Sequence, residues 1–413
     1  MKRRSWPIAA ALALPLAVPA RADTLVDNVT GLTLAADGAV QRFTGLLVGD
    51  DGRIAQVFQR GDKHPARADY RLDGKGRVLI PGLVDAHIDL MALALSLLGP
   101  ASDRAHPRPE DRDDALAKAQ QYLLERGVTT ATDMGTTIEA WQSYRRAGDA
   151  GRLRVRIVGY AASAEDMVLI AGPCPTPWLY DDRLRLVGLR IVFAPPLAQA
   201  PTLAATPPKP AAIQLKNLLS RASIDGFQSA VELRDTRAMP QLLDALGEVR
   251  ETYKGDRRWR IEMPAPPDPA DLARLIEMKV ALTLRPAPPA PAAATALRPD
   301  TSLGSGAPAG LVEPFAAIAS LPREAALAGF TSAAAWATQS EGRFGRIAVG
   351  QRADFVLVDR DPLEASPEEL RATRVLQTWV AGKLVWQAKD LGPAPAQPAA
   401  PPSVRQQSSP GGR

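Results

Sequence analysis

Three histidines, His64, His87 and His106, and one cysteine, Cys174, are all the imidazole and thiol that 413 residues offer. A two-metal site built on four imidazoles is beyond this chain alone. The single thiol excludes an internal disulfide framework, a Cys-rich zinc site and an iron–sulfur cluster held within one chain. His87 stands out because Asp89 follows two positions later, at the end of the apolar run Val78-Leu79-Ile80-Pro81-Gly82-Leu83-Val84-Asp85-Ala86. Residues two apart in a strand share a face, so an imidazole and a carboxylate emerge there side by side, a pair able to ligate a cation or move a proton. The other candidates are weaker. Cys174 lies in the loop sequence Gly172-Pro173-Cys174-Pro175, and His64-Pro65 and His106-Pro107 read as solvated loop histidines. No Gly-x-Ser-x-Gly elbow, Walker loop or dinucleotide fingerprint is present, and Gly304-Ser305-Gly306 is too short a signal to define a nucleophile. A metal-free serine or carboxylate hydrolase stays open.

The elements that must position His87 alternate between strand and helix. Candidate strands run Val78 to Ile88, Val128 to Asp133, Leu153 to Tyr160, Leu186 to Phe193, Phe227 to Leu233, Trp259 to Met263, Val280 to Leu284 and Thr301 to Ser305. Helical stretches separate several of them, notably Arg112 to Arg126, Arg237 to Thr252 and Pro269 to Met278. Eight strands alternating with helices predict a parallel (β/α)₈ barrel whose reactive groups sit at the carboxyl ends of the strands. Short β segments from Thr24 to Val78, and again at Asp354 to Asp359 and Val375 to Trp386, predict a small β-sandwich built from both chain ends. The expected division is residues 23–80 plus 342–390 for the sandwich and 81–341 for the barrel. Prolines number 38, about 9% against an ordinary ~5%, and crowd into residues 194–210 and 286–299. These two stretches follow the fourth and seventh strands directly and should hang over the barrel mouth, as variable loops or as a lid. Residues 391–413 are Pro, Ala, Gln and Ser without apolar period and read as a disordered tail.

Lys2, Arg3 and Arg4 before the apolar run Ile8 to Val18, then Ala20-Arg21-Ala22, read as a signal peptide over residues 1–22 that directs export to a periplasm, with an uncleaved anchor as the less favoured alternative. Cleavage removes four of the cations and no acid, lowering the formal charge from +5 to +1. A nucleic-acid role then has no electrostatic footprint, and no membrane span is expected after cleavage. A small-molecule ligand is compatible with this chain, and the oligomeric state is left open.

Val78 to His87 resembles the first barrel strand of the amidohydrolase superfamily. At the far end Gly345-Arg346-Ile347, Gly350, Arg352 to Pro362 and Trp379 to Val385 resemble that family's return into its β-sandwich and its last hairpin. With Gly127-Val128-Thr129-Thr130, Arg260-Ile261-Glu262 and Leu303-Gly304-Ser305, the chain is most similar to amidohydrolase family 3, the branch that includes N-substituted formamide deformylases, from about Asp23 to Trp386. The resemblance implies hydrolysis of carbon–nitrogen bonds other than peptide bonds. It also implies one or two divalent metals held by His-x-His on strand one, a carbamylated Lys on strand four, a His on each of strands five and six and an Asp on strand eight.

Most of those positions have changed. His87 and Asp89 stand for His-x-His, Arg190 for the lysine, Glu232 for the strand-five His, Met263 for the strand-six His and Gly306 for the acid. The resemblance thus places His87, Asp89, Arg190, Glu232 and Met263 at the mouth, with no base at Gly306. Glu262, one residue from a former ligand, should face away from the lumen. Two arrangements follow. His87, Asp89 and Glu232 could hold one divalent metal such as zinc. Alternatively, Arg190 and a protonated His87 balance Asp89 and Glu232 in a metal-free ion cluster, since a fixed guanidinium repels a cation and pairs with carboxylates. The second is preferred, so no cofactor is expected and the chain reads as a pseudoenzyme with activity lost or much reduced, or as a binding protein. On this reading Arg190→Ala should cost roughly 3–5 kcal/mol.

Overall fold

A computed structural model describes residues 23–35, 37–99, 107–194, 211–285 and 297–391. The expected leader, the C-terminal tail and most of both Pro-rich stretches lie outside the described residues.

Eight parallel strands form a nearly closed barrel: Leu83–Ile88, Val128–Thr136, Arg156–Ala161, Leu184–Phe193, Gln228–Leu233, Arg260–Met263, Ala281–Leu284 and Ser302–Leu303, each bonded to the next in sequence. A parallel bridge between Ile88 and Ala307 brings the eighth strand's exit back to the first. The strands carry apolar residues on both faces because both faces are covered. Val84, Ala86, Met134, Val158, Tyr160, Val187 and Ala230 fill the interior, while Leu189, Ile191, Val231, Ile261, Met263 and Leu284 pack outward against the helices.

Two sheets make the sandwich. One has four strands in the order Ile54–Phe58, Gly45–Val48, Thr24–Asp27, Tyr70–Asp73. The other has six, in the order Lys383–Gln387, Val375–Val380, Phe355–Val358, Val78–Pro81, Thr30–Leu34, Val40–Phe43. Both chain ends supply strands to the six-stranded sheet. Val26, Leu46, Leu79, Phe355 and Trp379 share its core, the last two stacked with ring centroids 5.3 Å apart.

The run expected as one strand from Val78 to Ile88 is two. Val78–Pro81 pairs antiparallel with Phe355–Val358 in the sandwich, whereas Leu83–Ile88 pairs parallel with the second barrel strand. Gly82 is the joint. A Cβ there would fall 2.3 Å from Thr129 Oγ1, so only glycine lets the chain pass from one sheet to the other.

Candidate functional site: the carboxyl end of the barrel

His87 ends the first strand. Its Nδ1 donates to Glu262 Oε2 across the lumen, and both side chains are buried. Beneath them Arg260, fully buried, donates through Nε to Thr283 Oγ1 at 2.8 Å and through Nη2 to the Ala86 carbonyl. The same Nη2 lies 2.6 Å from Glu262 Oε1, an ion pair set off the hydrogen-bond direction, so Oε1 and Arg260 Nη1 are buried without a hydrogen-bond partner. Burial alone would push the Glu262 carboxyl up. The charges of Arg260 and then His87 outweigh it and hold the group at about 2.

Two expectations for the sixth strand are therefore corrected. Glu262 faces the lumen, and Met263 faces outward into the apolar layer between barrel and helices. The sixth strand presents Arg260 and Glu262 on one face and Ile261 and Met263 on the other. That alternation of charged and apolar residues was the available signal, because the outer face meets a hydrophobic helix layer.

Glu232 ends the fifth strand among three guanidinium groups. Arg190, inward on the fourth strand, donates to Oε2 from Nε at 3.1 Å and from Nη2 at 2.5 Å. Arg234 Nε reaches Oε1 at 3.3 Å, and Arg285 Nη2 lies 3.4 Å from the same oxygen. Burial raises the Glu232 pKa, but the Arg190 hydrogen bond and charge, then the charges of Arg285 and His87, bring it below the usual carboxylate range. Neither Arg234 nor Arg285 figures in the motif reading. Each follows immediately after a barrel strand, and that position alone places it at the mouth.

This crowding revises the cost of losing Arg190. The side chain is 19% exposed, and Glu232 keeps two other arginines, so Arg190→Ala is expected to cost about 1–2 kcal/mol in denaturant unfolding.

Asp89 is elsewhere. Its carboxylate accepts from Ala92 N at 3.1 Å and caps the helix Leu90–Ser96, so it does not join His87 and Glu232. Asp133, within the second strand, accepts from Leu90 N, Thr136 Oγ1 and Tyr144 Oη. Burial, then the charge of nearby Asp89, raises its pKa from 3.8 to about 6. A pKa raised on folding means the folded state holds the proton more tightly. Asp133 therefore favours the fold fully below about pH 4, and that contribution is lost as pH rises to about 6. Wild-type protein should show this fall in urea unfolding, and Asp133→Asn should flatten it.

Asp85, also unforeseen, staples the barrel shut. Its Oδ1 accepts from Ser305 N at 2.9 Å and His87 N at 3.1 Å, while Gly306 N donates to the His87 carbonyl at 2.8 Å. Burial raises the Asp85 pKa, and Oδ2 has no hydrogen-bond partner. The approach of strands eight and one is close: a Cβ on Gly304 would fall 2.5 Å from His87 N. Gly306 sits at φ +67° and brings no carboxylate to the mouth.

Among the described residues no three His, Cys, Asp or Glu side chains converge to hold a metal ion. The His87 nitrogen facing Glu262 is spent on that carboxylate, Glu262 is held by Arg260, and Glu232 is ringed by Arg190, Arg234 and Arg285. A separate groove of about 660 Å³, lined by Arg250, Lys254, Arg257, Trp259 and Lys279 among others, lies by the amino-terminal ends of the sixth and seventh strands, opposite the mouth. Among the described residues no helix is long and apolar enough to cross a membrane.

An eight-stranded parallel barrel with a sandwich from both chain ends, its ionisable groups gathered at the strand carboxyl ends, defines the hydrolase class to which metal-dependent amidohydrolases belong. The amidohydrolase family model, of the family 3 branch, matches residues 93–386, and the chain belongs to that family. An uncharacterized metal-dependent hydrolase of Pyrococcus furiosus superposes with a TM-score of 0.64 at 17% identity, over 83% of this chain and all of the other; at that identity the likeness shows the fold. An imidazolonepropionase of Stenotrophomonas maltophilia is 39% identical over 69 residues, 17% of this chain and of the relative. A deacetylase of Agrobacterium fabrum is 32% identical over 123 residues, 30% of this chain and 25% of the relative. The aligned segments thus span a quarter or less of these two curated relatives.

Proposed function

We propose that this amidohydrolase-family chain has lost, wholly or nearly so, the hydrolysis of carbon–nitrogen bonds that its family membership and its deacetylase relative suggest, and serves in the periplasm as a binding protein on the inherited barrel. The observation that carries this reading is the pairing of Arg190 with Glu232. The guanidinium stands where the family resemblance puts a carbamylated lysine, stays protonated, and cannot form a carbamate. The rest of the mouth supports it. Gly306 supplies no base, and Glu232 and Glu262 are already paired with arginine or His87.

The test is turnover of a panel of N-acetyl, N-formyl and cyclic amide substrates by purified protein supplied with zinc or manganese. The expected result is no rate above that of a Glu262→Gln variant. Metal-dependent turnover lost in that variant would overturn the reading. Export is tested by fusing residues 1–30 to a reporter active only outside the cytoplasm. Activity is expected, and its absence would refute a cleavable leader.

A further inference from the structure

We infer that the barrel mouth is a receptor for a small organic carboxylate, gripped by Arg234 and Arg285 with Arg190 behind them; this rests on the metal-free reading above. The mouth holds a surplus of donors. Each guanidinium carries five N–H groups and no acceptor, so three of them around one carboxylate leave most donors unused. Arg190 takes Glu232 Oε2 with two nitrogens. The other oxygen is shared at 3.3 and 3.4 Å by Arg234 and Arg285, both longer than a charge-assisted hydrogen bond prefers, and Arg285 Nε is buried with no hydrogen-bond partner. Among the described residues Glu232 is the one carboxylate in contact with these three guanidinium groups, so positive charge is in excess around it.

Placement agrees with the charge. Arg234 is 58% exposed and Arg285 21%, so part of each guanidinium reaches solvent at the barrel end where this fold binds ligands, while Arg285 Nε stays buried. Gly306 leaves room for this arrangement. A Cβ at that position would sit 3.3 Å from Arg285 Cδ, so a side chain there would crowd Arg285. Arg234 and Arg285 already share one carboxylate oxygen, Glu232 Oε1, and guanidinium forks match a planar carboxylate better than a spherical halide.

The probe is succinate, titrated calorimetrically into the purified protein with sodium chloride at equal ionic strength as the blank. Saturable binding is expected, weakened roughly tenfold or more by Arg285→Gln and by Arg234→Gln, because each removes a charged donor. Glu232→Gln is expected to tighten binding, because it removes the internal anion that competes for the same arginines; weaker binding there would contradict the proposal. Thermal melts of Arg234→Gln and Arg285→Gln verify that a loss of binding is not a loss of fold. Absence of saturable binding at millimolar succinate overturns the proposal. So does binding that ignores those variants and disappears in Lys254→Gln or Arg257→Gln, which would assign it to the basic groove at the opposite face. Metal content of the same preparation separates the two levels: metal-free protein without succinate binding refutes the receptor alone, whereas a stoichiometric divalent ion refutes the reading beneath it.

Discussion

Arg260→Met is expected to destabilise the protein by about 3–5 kcal/mol, the largest effect at the barrel mouth, because it leaves a buried carboxylate without its cation. Arg260 and Glu262 are both fully buried, and Glu262 then keeps only His87. Urea unfolding reads the loss. The double variant Arg260→Met, Glu262→Leu should recover much of it, since removing both charges also removes the desolvation that each imposes. A pH series gives an independent check. Glu262 has its pKa lowered on folding from 4.5 to about 2, so its contribution is present above about pH 4.5 and is lost as pH falls towards 2. In the double variant that acid sensitivity should shrink. If Arg260→Met unfolds like wild type, the guanidinium is not the partner that keeps Glu262 charged.

A comparable effect is expected far from the mouth. Arg156, on the third barrel strand and fully buried, donates to Asp354 from Nε at 2.5 Å and from Nη2 at 2.8 Å. Asp354 immediately precedes the sandwich strand Phe355–Val358, and its Oδ1 also accepts from Ala381 N at 2.7 Å. The pair therefore ties the barrel to the sandwich as well as holding a turn. Asp354→Ala strands a buried guanidinium and is expected to cost about 3–5 kcal/mol, with Asp354→Asn less damaging because one acceptor survives. Thermal unfolding and proteolysis across the 83–156 and 354–381 segments measure it; an unchanged melting temperature would show that the sandwich docks without this pair.

The fold was legible because its signals are long and redundant. Eight apolar strands, spaced helices and paired end motifs all have to agree, and a slip of two residues at a strand end changes nothing. The site was only partly legible because there a slip of one residue reverses a side chain. Arg190 and Glu232 are on adjacent strands, and their side chains meet. In the sixth strand the motif register pointed to Met263, while the period of two in Arg260-Ile261-Glu262-Met263 placed the charges inside, and the packing obeys the period. Asp89 read as half of a chelating pair with His87. A carboxylate followed directly by the apolar run Leu90-Met91-Ala92-Leu93 is also a helix start, and the backbone N–H of Ala92 claims it. Arg285 directly follows Leu284, where the sequence already ends the seventh strand, so its place at the mouth was legible, but the motif pattern names no residue there.

If guanidinium groups have taken the place of metal in this barrel, elemental analysis of the purified protein, produced with zinc and manganese supplied and then passed through gel filtration, will find divalent metal well below one equivalent, unchanged by His87→Ala. One or two equivalents that survive filtration in wild type and vanish in His87→Ala would contradict that replacement.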